Sequence, residues 1–243
     1  MINENPFVRL HSILSKSSTK VHPNKSLRNL WADTFDVNSD DINLILIKHV
    51  ELFRLYDEAK DILDSHEKLD TERNQNYLRK VLTLLKVANF EAKSELFQRH
   101  ITQDTLTALY YLAENVSFIY SVENRAINVE NIQDLLSDIN TLQDNLMNSS
   151  LPEDITKIIY RNLSTIKYSL DEYELTGFRG VREALERSIG SIVINKDSLL
   201  EVKDSEEFTD FFKIITRLNT LYTGVDNVKK LGSPLLKLLG MGD

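Results

Sequence analysis

The sequence predicts an all-α protein, a multi-helix bundle of about eight to ten helices joined by short loops. Three observations predict it. All seven glycines lie after residue 176, so the first 176 residues contain none. Hairpins and α/β loops draw on glycine for positive φ, whereas helical hairpins capped by Ser, Asn or Asp do without it. Apolar residues recur at alternating steps of three and four through most of the chain, the period of an amphipathic helix. Start and stop signals bracket those runs.

The first 36 residues read as a short helix over 7–15, a Ser/Thr/Lys connector at Ser15–Lys20 and a helix after Pro23. Over 39–66, Ile42, Ile45, His49, Leu52, Tyr56, Ala59 and Leu63 make one stripe. Leu46, Val50 and Phe53 widen it, which predicts neighbours on two sides. Ser39, followed by Asp40 and Asp41, is the expected N-cap, with acids in the first turn. From 71 to 98, Leu78, Val81, Leu82, Leu85, Ala88, Ala92 and Leu96 repeat the period, with Thr71 as cap. From 103 to 122, Leu106, Leu109, Tyr110, Ala113, Val116 and Ile119 or Tyr120 do the same.

Beyond Asn128, the residues Ile132, Leu135, Ile139, Leu142 and Leu146 resemble a coiled-coil seam over two heptads. Asn148-Ser149-Ser150 ends that helix. Leu151-Pro152-Glu153-Asp154 opens another, whose apolar face is Ile155, Ile159, Leu163, Ile166, Leu170 and Tyr173. Gly177 is its expected C′ residue, and a helix over about 179–194 follows. Residues 192–202, where β-branched side chains flank Asn195-Lys196-Asp197, are the one stretch compatible with a minor β-hairpin. Ser205, Glu206 and Glu207 start a helix carrying Phe208, Phe211, Phe212, Ile215 and Leu218. Ser233-Pro234 starts a last short turn.

Three parts follow from these breaks: a basic, partly flexible N-terminal segment (1–36), a helical bundle (37–150) and a second helical part (151–243). The Asn148–Leu151 break is too short for a flexible linker, so the last two parts are expected to pack together, as subdomains or as one domain. No 30–50-residue repeat aligns beyond the shared helical period.

Composition narrows the function. With 42 % hydrophobic and 27 % charged residues in 243, the chain is neither disordered nor a multispanning membrane protein. It has no cysteine, which removes thiolate nucleophiles, Cys-ligated zinc and iron–sulfur clusters. The N-terminus has no apolar run of signal-peptide length, so a cytoplasmic location is expected. The net charge of −8 disfavours nucleic acid as a partner. Residues 1–30 carry five basic residues and one acid, which leaves a net of −12 for the rest. That basic arm is expected to be solvated or docked on the acidic body.

Catalytic patterns are largely missing. His11, His22, His49, His66 and His100 form no H-E-x-x-H arrangement, and His49 sits in an apolar stripe, where a hydrogen-bonded core role is expected. Asp57, Asp61 and Asp64, with Glu58, share one helix face, a solvated face rather than a metal site. Tyr110, Tyr111, Phe118 and Tyr120 read as core rather than as a base-stacking platform, because no basic residues interleave with them. Gly177-Phe178-Arg179-Gly180-Val181-Arg182 is no phosphate loop. It does place Arg179 and Arg182 near a helix N-terminus, the one local candidate for anion or partner contact. No catalytic residue, metal ligand or cofactor is expected. The segment 225–241 sets Val225, Val228, Leu231, Leu235 and Leu236 near Lys229, Lys230 and Lys237, an amphipathic stretch that could dock on a protein or a membrane.

The expectation is a non-catalytic cytoplasmic protein acting through protein–protein interaction, as subunit, adaptor or regulator, its partner another protein or a second copy. Two rivals stand: an enzyme whose site is assembled from distant helices, and a protein recruited to membranes by 225–241.

Overall fold

The computed structural model describes residues 5–120 and 129–223, and in them the chain is helical throughout, with no strand beyond a single isolated bridge. The fold class is therefore all-α. Contacts divide the chain into two compact units between Arg125 and Ala126. The Asn148–Leu151 connection, expected as the boundary, lies inside the second unit as the turn between two of its helices.

The first unit contains α1 (Pro6–Ser18), α2 (Leu27–Phe35), α3 (Ile42–Asp64), α4 (Glu72–Leu85), α5 (Glu95–His100) and α6 (Gln103–Ile119). Its centre is α1, which packs on α2, α3 and α6 with Phe7, Leu10 and Leu14 sealed from solvent. Proline at the first helical position costs no hydrogen bond, because that N–H would be an orphan anyway. Asn5 caps the helix by accepting from the Phe7 amide at 3.0 Å. Its Nδ2 donates to the Ala113 carbonyl at 2.7 Å and to Ser117 Oγ at 3.0 Å, so one buried side chain ties the start of α1 to α6. Arg9, also buried, reaches Glu58 on α3 at 2.6 Å. Lys25 pairs with Asp33, and Arg28 with Glu91 at 3.1 Å. Three of the arm's five basic residues are thus paired with acids of their own unit.

The caps are local and short-range. The Ser26 hydroxyl accepts from the Asn29 amide at 3.3 Å, Thr71 from Asn74 at 3.2 Å and Thr102 from Thr105 at 3.4 Å. For α3 the cap is Asp41, accepting from Leu44 at 3.0 Å, and not the expected Ser39. Asp36 ends α2 in the left-handed region at φ 56°, a conformation that Asp tolerates better than bulkier residues.

One expected helix is two. The stretch 71–98 divides into α4 and α5, because the connector 86–94 leaves the helical path to pair with 22–28. Leu27 donates to Ala92 O at 2.8 Å, Arg28 to Phe90 O at 2.7 Å, and Ser94 to Lys25 O at 2.8 Å. The Ser94 hydroxyl donates to His22 O at 2.8 Å and accepts from the His22 amide at 3.1 Å. Helical bonds after Leu85 compete with this non-local ladder and with an Asx turn at Asn89, where Glu91 donates to Oδ1 at 3.1 Å.

The second unit contains α7 (Val129–Met147), α8 (Glu153–Asp171), α9 (Tyr173–Ile194), α10 (Lys196–Leu200) and α11 (Glu206–Thr223). The expected seam of α7 and the expected face of α8 are buried as read, and α11 adds Phe208, Phe211, Ile215 and Leu218 to the same core. Polar bonds cross between helices: Asn162 Nδ2 donates to Ser191 Oγ at 2.9 Å, and Gln143 to Ser164 Oγ at 3.1 Å.

Gly177 interrupts α9 at φ 56°, ψ −150°, a region closed to residues with a Cβ. It separates one turn, 173–176, from the long helix expected over 179–194, while α8 itself ends earlier, at Asp171. Gly180 serves packing rather than punctuation, since a Cβ there would lie 2.3 Å from Thr176 Oγ1.

The minor β-hairpin with which 192–202 is compatible does not form. Residues up to Ile194 continue α9, and 196–200 are α10. Ile192 and Leu199 enter the helical core, and that burial outweighs the local β propensity of Ile192, Val193 and Ile194.

Candidate functional site

The residues singled out in the sequence lie apart from one another. Arg179 and Arg182 occupy the first turns of the helix after Gly177. Each is held by a glutamate one turn on: Arg179 by Glu183 at 3.5 Å, and Arg182 by Glu186 at 2.8 Å. The Glu186 hydrogen bond raises the Arg182 pKa further. These i,i+4 pairs turn the guanidinium groups along their own helix.

His49 is a core residue, 6 % exposed. Its Nε2 lies 2.9 Å from the Leu85 carbonyl, and Trp31, Phe53 and Phe90 surround the ring at 5.2–5.4 Å between centroids. Only a donated Nε2–H satisfies that carbonyl, which fixes the neutral tautomer, and Nδ1 is buried with no partner. Burial lowers the pKa, since the cation would lose its water. Of the carboxylates on α3, Glu58 pairs with Arg9, and Asp64 with Lys60 and with Gln75 Nε2 at 2.8 Å. Among the described residues no group of three or more His, Asp and Glu is placed to hold a metal ion. None of the described helices is long and apolar enough to cross a membrane. The amphipathic segment 225–241 lies outside the described residues.

What the structure does present is apolar and aromatic surface on the first unit. On α3 the main stripe is buried from Ile45 to Leu63 but not at Ile42, which is exposed, and Leu46 and Val50, expected to meet a second neighbour, are 42 % and 51 % exposed. Ile42 and Ile47 lie beside them, so two turns of α3 show aliphatic side chains to solvent. On α6 the expected core aromatics also face outward: Tyr111 is 59 % and Phe118 is 87 % exposed, with Tyr110 and Tyr120 open as well. Leu112 takes the core position instead. A groove of about 650 Å³ runs between α4 and α6, with Tyr77 on one wall and Tyr111 and Phe118 on the other. Sequence reading missed it because its walls come from helices some thirty residues apart.

Compared with models of known families, with curated proteins and with solved structures, the chain finds no match in any of the three.

Proposed function

We propose that this chain is a non-catalytic helical protein that works by holding another protein, or a second copy of itself, as a subunit, adaptor or regulator of a larger complex. The reading carries a cytoplasmic location with it. The observation that supports it is the open face of α3. Ile42, Leu46, Ile47 and Val50 sit on successive turns and are 37–51 % exposed. Scattered exposed apolar side chains are ordinary, but a contiguous aliphatic face on a helix is a recurrent mark of a docking surface. Covering it removes apolar area from water, the dominant favourable contribution in association. Its aliphatic character, along one side of a helix, suits a partner helix better than a small molecule.

The test pairs affinity purification of the full chain at native expression with sedimentation of the pure protein. The parent is expected to retain a stoichiometric protein partner or to self-associate. A Leu46→Asp/Val50→Asp variant of unchanged thermal stability is expected to lose that association. A parent that is a clean monomer with no retained partner overturns the reading.

A further inference from the structure

The groove between α4 and α6 differs in charge from the rest of the molecule. The chain carries −8, yet Lys68 and Arg73 line this groove, and Arg79 and Lys80 line a more open hollow that continues it past Tyr77. Asp104 is the one acid lining either. Several cations on exposed helix faces are paired with a neighbouring acid, as in Lys60–Asp64, Arg182–Glu186 and Lys213–Asp210. Among the described residues Lys68, Arg73 and Arg79 have no acidic partner, and Lys80 lies over the Tyr77 ring, its Nζ 5.1 Å from the centroid. The groove and the hollow beside it therefore combine a net positive lining with exposed aromatic faces.

We propose that this groove binds an acidic amphipathic helix from a partner protein. The α6 wall presents Asp104, Ala108, Tyr111, Asn115 and Phe118 in steps of three and four, a ridge that runs about 21 Å along the axis. That length accommodates roughly four turns of a docked helix. The apolar ridge of the guest lies against Tyr77, Tyr111 and Phe118, as in other helix-in-groove complexes. Its flanking carboxylates face Lys68, Arg73, Arg79 and Lys80, where charge complementarity sets orientation and speeds encounter. Single-stranded nucleic acid would also meet cations and aromatic faces. It is disfavoured because it brings a negative charge with every nucleotide to a chain that carries −8, where the helix brings only a few flanking carboxylates. The inference extends the protein-binding reading to a second surface, and either can fail without the other.

The test is fluorescence anisotropy on the full chain with three labelled probes. One is a four-turn helical peptide with Leu and Phe on one face and Glu on the other. The second replaces every Glu with Lys, and the third is an oligothymidylate of similar extended length. The Glu peptide is expected to bind, to weaken as salt rises, and to outcompete both other probes. Arg73→Glu/Lys80→Glu and Tyr111→Ser/Phe118→Ser are each expected to weaken it at least about tenfold. These side chains are on the surface, so circular dichroism should show parental melting for both variants. Leu46→Asp/Val50→Asp, on α3, is expected to bind the Glu peptide like the parent, which separates a failure here from a failure of the α3 surface. No binding of the Glu peptide, equal binding of the Lys peptide, tighter binding of the oligothymidylate, or parental affinity in either groove variant overturns the proposal.

Discussion

The two units reach the same helical content by different means. The second is a seam protein: α7, α8 and α11 bring Ile, Leu and Phe at regular steps into one core. Its exceptional backbone position is Gly177. The first holds short and long helices together with polar tethers, among them Asn5, the Arg9–Glu58 pair, Ser94 and the His49–Leu85 bond. It also leaves aliphatic surface open on α3 and aromatic surface open on α6. The second unit's exposed apolar side chains, among them Met147, Tyr160, Tyr168, Val193 and Ile194, are spread over three helices, whereas the first unit gathers Ile42, Leu46, Ile47 and Val50 on α3 and Tyr110, Tyr111 and Phe118 on α6, and so carries both candidate surfaces.

The largest expected effects test whether the units are energetically separate. Trp31, the chain's single tryptophan, is buried in the first unit and reports on it alone. Phe7→Ala is expected to cost about 4 kcal/mol and to move the Trp31 fluorescence transition in urea. Leu163→Ala is expected to cost about 3 kcal/mol, shifting part of the circular dichroism change but not the fluorescence. Coincident shifts in both probes would show one cooperative block and break the comparison.

Next come the features particular to each unit. Gly177→Ala is expected to destabilise the second unit by about 2 kcal/mol, because φ 56° with ψ −150° strains any residue with a Cβ. Asn5→Ala is expected to cost the first unit about 2 kcal/mol through the lost cap and the lost bonds to the Ala113 carbonyl and Ser117 Oγ on α6. The same denaturation curves check both.

A smaller effect is pH-dependent and belongs to the first unit. Burial holds the His49 pKa below its ordinary 6.5, and burial also lowers that of His11. The unfolded state then binds protons that the folded state refuses. Stability from this source is complete above the unfolded value near 6.5 and falls as the pH drops below it. Urea midpoints of the Trp31 transition should therefore decline from pH 7 toward pH 5, and His49→Gln should flatten the decline. The smallest expected effect is that of Leu46→Asp/Val50→Asp, within about 1 kcal/mol of the parent, since both side chains are already about half in water. A large loss there would mean that the α3 face is structural and not a docking surface.

Much of the fold was legible because a helix stripe is a local signal. The seams of α7 and α8 needed nothing beyond spacing. The α3 stripe was read correctly where it is buried, whereas its widening by Leu46 and Val50 was read as contact and is exposure. Spacing tells which residues share a face and not whether anything covers it. The division of 71–98 was hidden because its cause lies at residues 22–28, far along the chain. The groove was hidden for the same reason: testing for basic residues interleaved with Tyr111 and Phe118 along one segment cannot find Arg73 and Lys80 on another helix.

The ladder between 22–28 and 86–94 joins two stretches that a helix map would label as loops. Their main-chain amides at Leu27, Arg28 and Ser94 should exchange with deuterium as slowly as helical ones. Loop engineering meets the same constraint. An epitope spliced in at Pro23 would pull apart a clasp whose other half lies some seventy residues downstream, while the same splice at Asn148–Ser150 would meet only a turn between neighbours.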